Sequence, residues 1–142
     1  MDAGSSKLLY DLVEMGATSL LHYLSGASLY STNAAAIARV KDAAREERDE
    51  IARFIRLLQR NHQYIPKPGS FPSHFTTMNF VTLEYVLPKL IAEQKREIAK
   101  VASMLDSAGA EDIRKLGDSY LAMKRRHLQM LEELAHKKPA AA

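Results

Sequence analysis

The stretch Val40–Leu58, reading VKDAAREERDEIARFIRLL, limits the fold more than any other part of the chain. Val40, Ala43, Ala44, Ile51, Phe54 and Leu58 recur at helical spacing, and no glycine or proline interrupts them. This predicts a long amphipathic helix with one face in a core. A carboxylate stands inside that face. Residues three, four and seven positions apart are neighbours on a helix surface. For Glu47 those neighbours are Val40, Ala43, Ala44, Glu50, Ile51 and Phe54, and Glu50 alone among them is polar. A buried carboxylate is costly unless it is paired, hydrogen-bonded or bound to a metal. The partner of Glu47 is therefore the functional question that the sequence poses.

The rest of the chain reads as more helix. A first helix is expected from about Ser6 to Tyr30, capped by Ser5 or Ser6. Its polar stripe of Lys7, Asp11, Glu14, Thr18, His22 and Ser25 argues against a membrane span despite the length. Ser31, Thr32 or Asn33 caps the second helix, which runs to about His62. The segment HQYIPKPGSFPSH follows, with three prolines and a glycine. Tyr64, Ile65 and Phe71 suggest that it packs on the helices. A third helix is expected from Thr76 or Asn79 to about Ser107, kinked or broken at Pro88. The fourth runs from about Ala110 to Ala135, with the stripe Ile113, Leu116, Tyr120, Met123, His127, Met130 and Leu134. Four long helices and no strand-like alternation predict an all-α, antiparallel four-helix bundle. The 142 residues make one domain, with residues 1–5 and 137–142 expected to be disordered.

Levelling the helices against one another places Gly16 and Ala17, Ile91 to Gln94, and Lys124 near the height of Glu47. Gln94 lies among Leu87, Leu90, Ile91, Ile98 and Val101, and Lys124 among Gly117, Tyr120, Leu121, Leu128 and Leu131. These polar residues in apolar settings predict a single layer of Glu47, Glu50, Gln94, Lys124 and His127. Glu84, flanked by Phe80, Val81, Leu87 and Ile91, is a second candidate for burial. Tyr120, one turn from Lys124, is placed to hydrogen-bond the layer.

This pattern resembles the ferritin-like superfamily of di-iron carboxylate bundles. Those proteins carry one glutamate on each of two helices and Glu-x-x-His on each of the other two. REERDEIARFIRLL resembles the helix of the first motif, with Glu47 at the glutamate position and Glu50 at the histidine position. KRRHLQMLEEL resembles the last helix, with His127 in place and Lys124 where a glutamate belongs. The remaining ligand positions fall at Gly16 and near Gln94. A dimetal centre needs anionic ligands, and these departures remove most of them. The expectation is a lost dimetal site, with Lys124 paired to Glu47 or Glu50 in its place.

Three functions follow. The first is a non-catalytic interaction or scaffold module, binding no cofactor and homodimeric through Gly16, Ala17, Ser19, Leu20, Tyr23 and Ala27. The second is a divergent oxidoreductase holding iron or manganese through Glu47, Glu50, Glu84 and His127. The third is a small-molecule binder with its pocket under the Tyr64–Phe75 loop. Composition trims the field. Without cysteine there are no disulfides, thiolate metal sites or cysteine nucleophiles, and a cytoplasmic location is expected. A net charge of +3, interspersed, gives no basis for nucleic-acid binding. MDAGSSK lacks the pattern of a secretory leader. His22, His62, His74 and His136 show no metal-ligand spacing with one another, and no phosphate-loop or nucleophile-elbow motif is present.

Overall fold

The computed structural model describes residues 1–67 and 69–136 and is all-α. Its helices are α1 (Ala3–Ala17), α2 (Leu20–Ser25), α3 (Ala34–Arg60), α4 (Leu83–Asp106) and α5 (Glu111–His136), with a 3-10 helix at Ser73–Met78. Two short strands, β1 (Leu29–Tyr30) and β2 (Val81–Thr82), pair in parallel, with Leu29 opposite Val81 and Tyr30 opposite Thr82. No described helix is long and apolar enough to cross a membrane. The expectation for residues 137–142 lies outside the described residues.

The expected first helix is in fact two. The chain leaves helical geometry at Thr18 and Ser19, and Ser19 caps α2 by accepting a hydrogen bond from the His22 N–H. Short polar side chains favour such caps because they satisfy amide groups that the helix start leaves free. At the other end α1 begins earlier than expected. Asp2 caps it, accepting from the Ser5 N–H at 2.7 Å, so residues 3–5 are helical rather than disordered. Asn33 caps α3, accepting from the Ala36 N–H.

The third long helix also starts later than its periodicity implies. Asn79 is extended, and Phe80 has φ +60°, a left-handed conformation that a side chain of its size rarely adopts. Thr82 then caps α4 by accepting from the Tyr85 N–H. Helix α4 does not break at Pro88 but continues through it. The proline sits in the second turn, on the exposed side of the helix.

Buried apolar side chains form two clusters. One gathers Leu20, Leu21 and Leu24 of α2, Val40 and Ala44 of α3, Val86 and Leu90 of α4, and Leu131 and Leu134 of α5. The other gathers Leu9 and Leu12 of α1, Phe54 and Leu58 of α3, Val101 and Leu105 of α4, and Ile113 and Tyr120 of α5. On every long element the change of cluster falls where a buried polar residue stands: Ser19, Glu47, Gln94 with Glu97, and Lys124 with His127. Gly16 lets α1 approach α3, since a Cβ there would lie 2.5 Å from Ile51 Cδ1.

Candidate functional site: a buried lysine between two carboxylates

Helix α3 carries Glu47 into the interior and α5 carries Lys124 there from the opposite side. They are 1% and 0% exposed. The Lys124 ammonium donates to Glu47 Oε2 at 3.2 Å. It also lies 2.9 Å from Oε2 of Glu97, on α4. That second approach is an ion pair at hydrogen-bonding distance, and among the described residues no other group donates to Glu97 Oε2. The Ser19 hydroxyl donates to Glu47 Oε1 at 2.7 Å, so one serine both starts α2 and satisfies the buried carboxylate. Gln94 Nε2 donates to the Lys124 carbonyl at 3.1 Å and ties α4 to α5. The Tyr120 ring lies 5.2 Å from the ammonium, within cation–π range.

The electrostatics follow from this geometry. Burial works against the Lys124 charge, but Glu47, Tyr120 and Glu97 outweigh it and hold the ammonium well above the usual lysine range. Burial pushes the Tyr120 hydroxyl up, so it stays neutral. Burial also pushes Glu97 up to about 7, against the pull of Lys124, and the Glu47 charge adds to the rise. Two carboxylates share one ammonium, and the layer holds an excess of negative charge whenever both are ionised.

The rim of the layer is different. Glu46, next in sequence to Glu47, points outward and accepts from Arg126 at 2.6 Å, which holds its carboxyl below the usual range. His127 Nε2 lies 3.7 Å from the same Glu46 oxygen, and neither ring nitrogen has a hydrogen bond among the described residues. Burial lowers the His127 pKa, ahead of the opposing pull of Glu46 and Glu47.

The expected layer is thus assembled in part. Glu47, Gln94 and Lys124 meet, and His127 flanks them. Glu50 does not join: it is half-buried and paired with Arg53 at 3.0 Å, one turn along its own helix. Glu84 is exposed, not buried, and accepts from Ser31 near the paired strands at 2.9 Å. Glu47, Glu50, Glu84 and His127 therefore do not form a ligand set. Among the described residues no three His, Asp or Glu side chains are grouped to hold a metal ion. Sequence reasoning missed Glu97 and Ser19. Of the small-residue face expected to form a dimer, Gly16, Ser19, Leu20 and Ala27 are buried within the chain, and Ala17 and Tyr23 are half-buried. Of the loop residues expected to pack, Phe71 sits against His22, Tyr23 and Phe75, whereas Tyr64 is 91% exposed.

Comparison with known proteins found no matching family model, no matching characterised protein and no matching solved structure.

Proposed function

We propose that this chain is a ferritin-like antiparallel four-helix bundle in which the Lys124 ion-pair layer stands in place of a dimetal centre, and that it acts as a non-catalytic interaction module. The observation that carries this reading is the Lys124 ammonium, fully buried between Glu47 and Glu97 at 3.2 and 2.9 Å. A dimetal centre at this height draws its ligands from all four helices. Here those helices contribute Ser19, Glu47, Glu97 and Lys124 with His127. An ammonium among the donors repels a metal cation, so this donor set does not fit two metal ions.

The chain path supports the same reading. The pair α1 and α2 passes from the second apolar cluster to the first, α3 and α4 each pass from first to second, and α5 returns. The connection between α3 and α4 therefore carries the chain back along the helices, the single long crossover that ferritin-like folds use. Self-association belongs to this proposal. With most of the small-residue face buried, the surface offered to a second copy is the aromatic end where Tyr30, Phe80 and Tyr85 are 56%, 70% and 53% exposed. Light scattering after gel filtration tests it, with a dimer in wild type and a monomer in Phe80→Ser as the expected result.

Metal content tests the central claim. Elemental analysis after challenge with ferrous iron or manganese is expected to find under about a tenth of an equivalent bound. One or two equivalents would overturn the reading. Lys124→Glu removes the ammonium and adds a carboxylate, and it is expected to gain metal affinity over wild type. Equal binding by the two proteins would count against the ion pair as a substitute for metal.

A further inference from the structure

A cavity of about 600 Å³ opens between α1, the segment around Pro72–Phe75 and α4, and Ser19 and Glu97 both line it. It therefore reaches the buried ion-pair layer from outside. Its apolar walls include Met15, Phe75 and Met104, and Glu14 stands exposed among the lining residues. Asp11 and Glu93, also in the lining, are already paired with Lys7 and Arg96. Arg96 is thereby occupied, and Lys100 is exposed.

Glu97 is the chemically unusual member. It is 5% exposed, and among the described residues only the Lys124 ammonium answers its carboxylate. A carboxylate has acceptor sites for about four hydrogen bonds. The ammonium it faces is shared with Glu47. With Glu97 ionised the layer thus lacks one positive charge, and Glu97 keeps acceptor capacity unused where it lines a cavity whose walls are part apolar and part polar. We propose that this cavity binds a small organic ammonium ion, with its cationic head at Glu97 and its hydrocarbon part against Phe75, Met15 and Met104. Such a cation supplies the missing charge without displacing Lys124. The apolar surface of Met15, Phe75 and Met104, and the lack of a clustered ligand set among the described residues, favour an organic cation over a bare metal ion. The inference needs only the cavity and the layer, so it stands whether or not the layer descends from a metal centre.

The test is a titration of the intact chain with benzylamine, followed by two-dimensional NMR, with benzyl alcohol and benzoate as neutral and anionic probes of similar shape. Saturable shifts at Thr18, Phe75 and Glu97 are expected with benzylamine. Affinity for benzyl alcohol, and of Glu97→Gln for benzylamine, is expected to fall by about tenfold or more, and benzoate is expected not to bind. Met104→Trp fills the cavity from a partly exposed wall, leaves the charged layer intact, and is expected to abolish binding; it decides the matter if Glu97→Gln does not fold. Benzyl alcohol or benzoate binding as tightly as benzylamine would overturn the proposal. So would undiminished binding in either variant, or no saturable shift below about 10 mM benzylamine.

Discussion

Glu46 and Glu47 are adjacent in sequence and carry the same chemistry, yet they belong to different regions. Glu47 lies in the buried layer, where it meets Ser19 and Lys124. Glu46 faces the rim, where Arg126 answers it at 42% exposure of its side chain. The rim pair is shorter, 2.6 Å against 3.2 Å, but distance does not rank the two. Solvent screens the outer pair, and exposed pairs contribute about 0–1 kcal/mol. The inner group lacks solvent, so removing one member leaves a charge with nothing to replace it. The surroundings, rather than the contact itself, set what each carboxylate is worth.

The sharpest way to break this comparison is Lys124→Met. It leaves Glu47 and Glu97 facing each other in the interior, and a loss of about 3–5 kcal/mol is expected in urea denaturation. Adding Glu47→Gln and Glu97→Gln to the same chain should recover much of that loss, since an uncharged layer strands nothing.

Glu97 makes the contrast a function of pH. Its ordinary pKa is 4.5 and its folded value is about 7. The folded state therefore holds the proton more tightly. Wild type loses stability as pH rises from about 4.5 to about 7, by roughly 3 kcal/mol in total from this group, and the loss is complete above that window. Glu97→Gln cannot titrate. Its stability relative to wild type should climb through that interval and level off beyond it. Parallel curves for the two proteins, from denaturant midpoints at several pH values, would remove Glu97 from the layer's energetics.

Ser19→Ala takes one hydrogen bond from a buried carboxylate and one cap from α2. Leaving a buried group unsatisfied costs about 1–3 kcal/mol, and thermal unfolding should show a loss in that range. The smallest effect belongs to the rim. A double-mutant cycle on Glu46→Ala and Arg126→Ala should give a coupling of about 0–1 kcal/mol that shrinks in 1 M salt. A rim coupling as large as the inner one would end the distinction between the two regions.

The inner residues were legible in the sequence to the extent that their own helices surround them with apolar side chains. Glu47 and Lys124 pass that test, and their burial follows. Glu97 does not. Its helical neighbours are Leu90, Glu93, Gln94, Lys100, Val101 and Met104, half of them polar, so the same test does not mark it as buried. What buries it is α5 and the cavity wall, and local periodicity carries no information about either. Ser19 was hidden differently. A serine between two apolar runs fits both a continuous helix and a capped restart, and only its contact with Glu47 separates the two. Levelling the helices pointed to Gly16 and Gln94; Gln94 does reach the Lys124 carbonyl, but the contacts to the charged groups come from Ser19 and Glu97. Each is three residues away, about one helical turn. Glu50 failed for a simpler reason: Arg53 is one turn along the same helix and offers a nearer partner.

The division of the apolar core by a charged layer also bears on alignment. Leucines against leucines tolerate sliding, because one apolar contact resembles the next. Moving α5 by one turn would shift Lys124 about 5.4 Å along its neighbours, away from both carboxylates and in among side chains that cannot accept its protons. Helices α3, α4 and α5 each carry such a mark, Ser19 adds one at the start of α2, and the marks satisfy one another in a single arrangement. The layer thus works as an index for axial register, selecting one alignment of the helices from several that hydrophobic packing alone would treat as near equals.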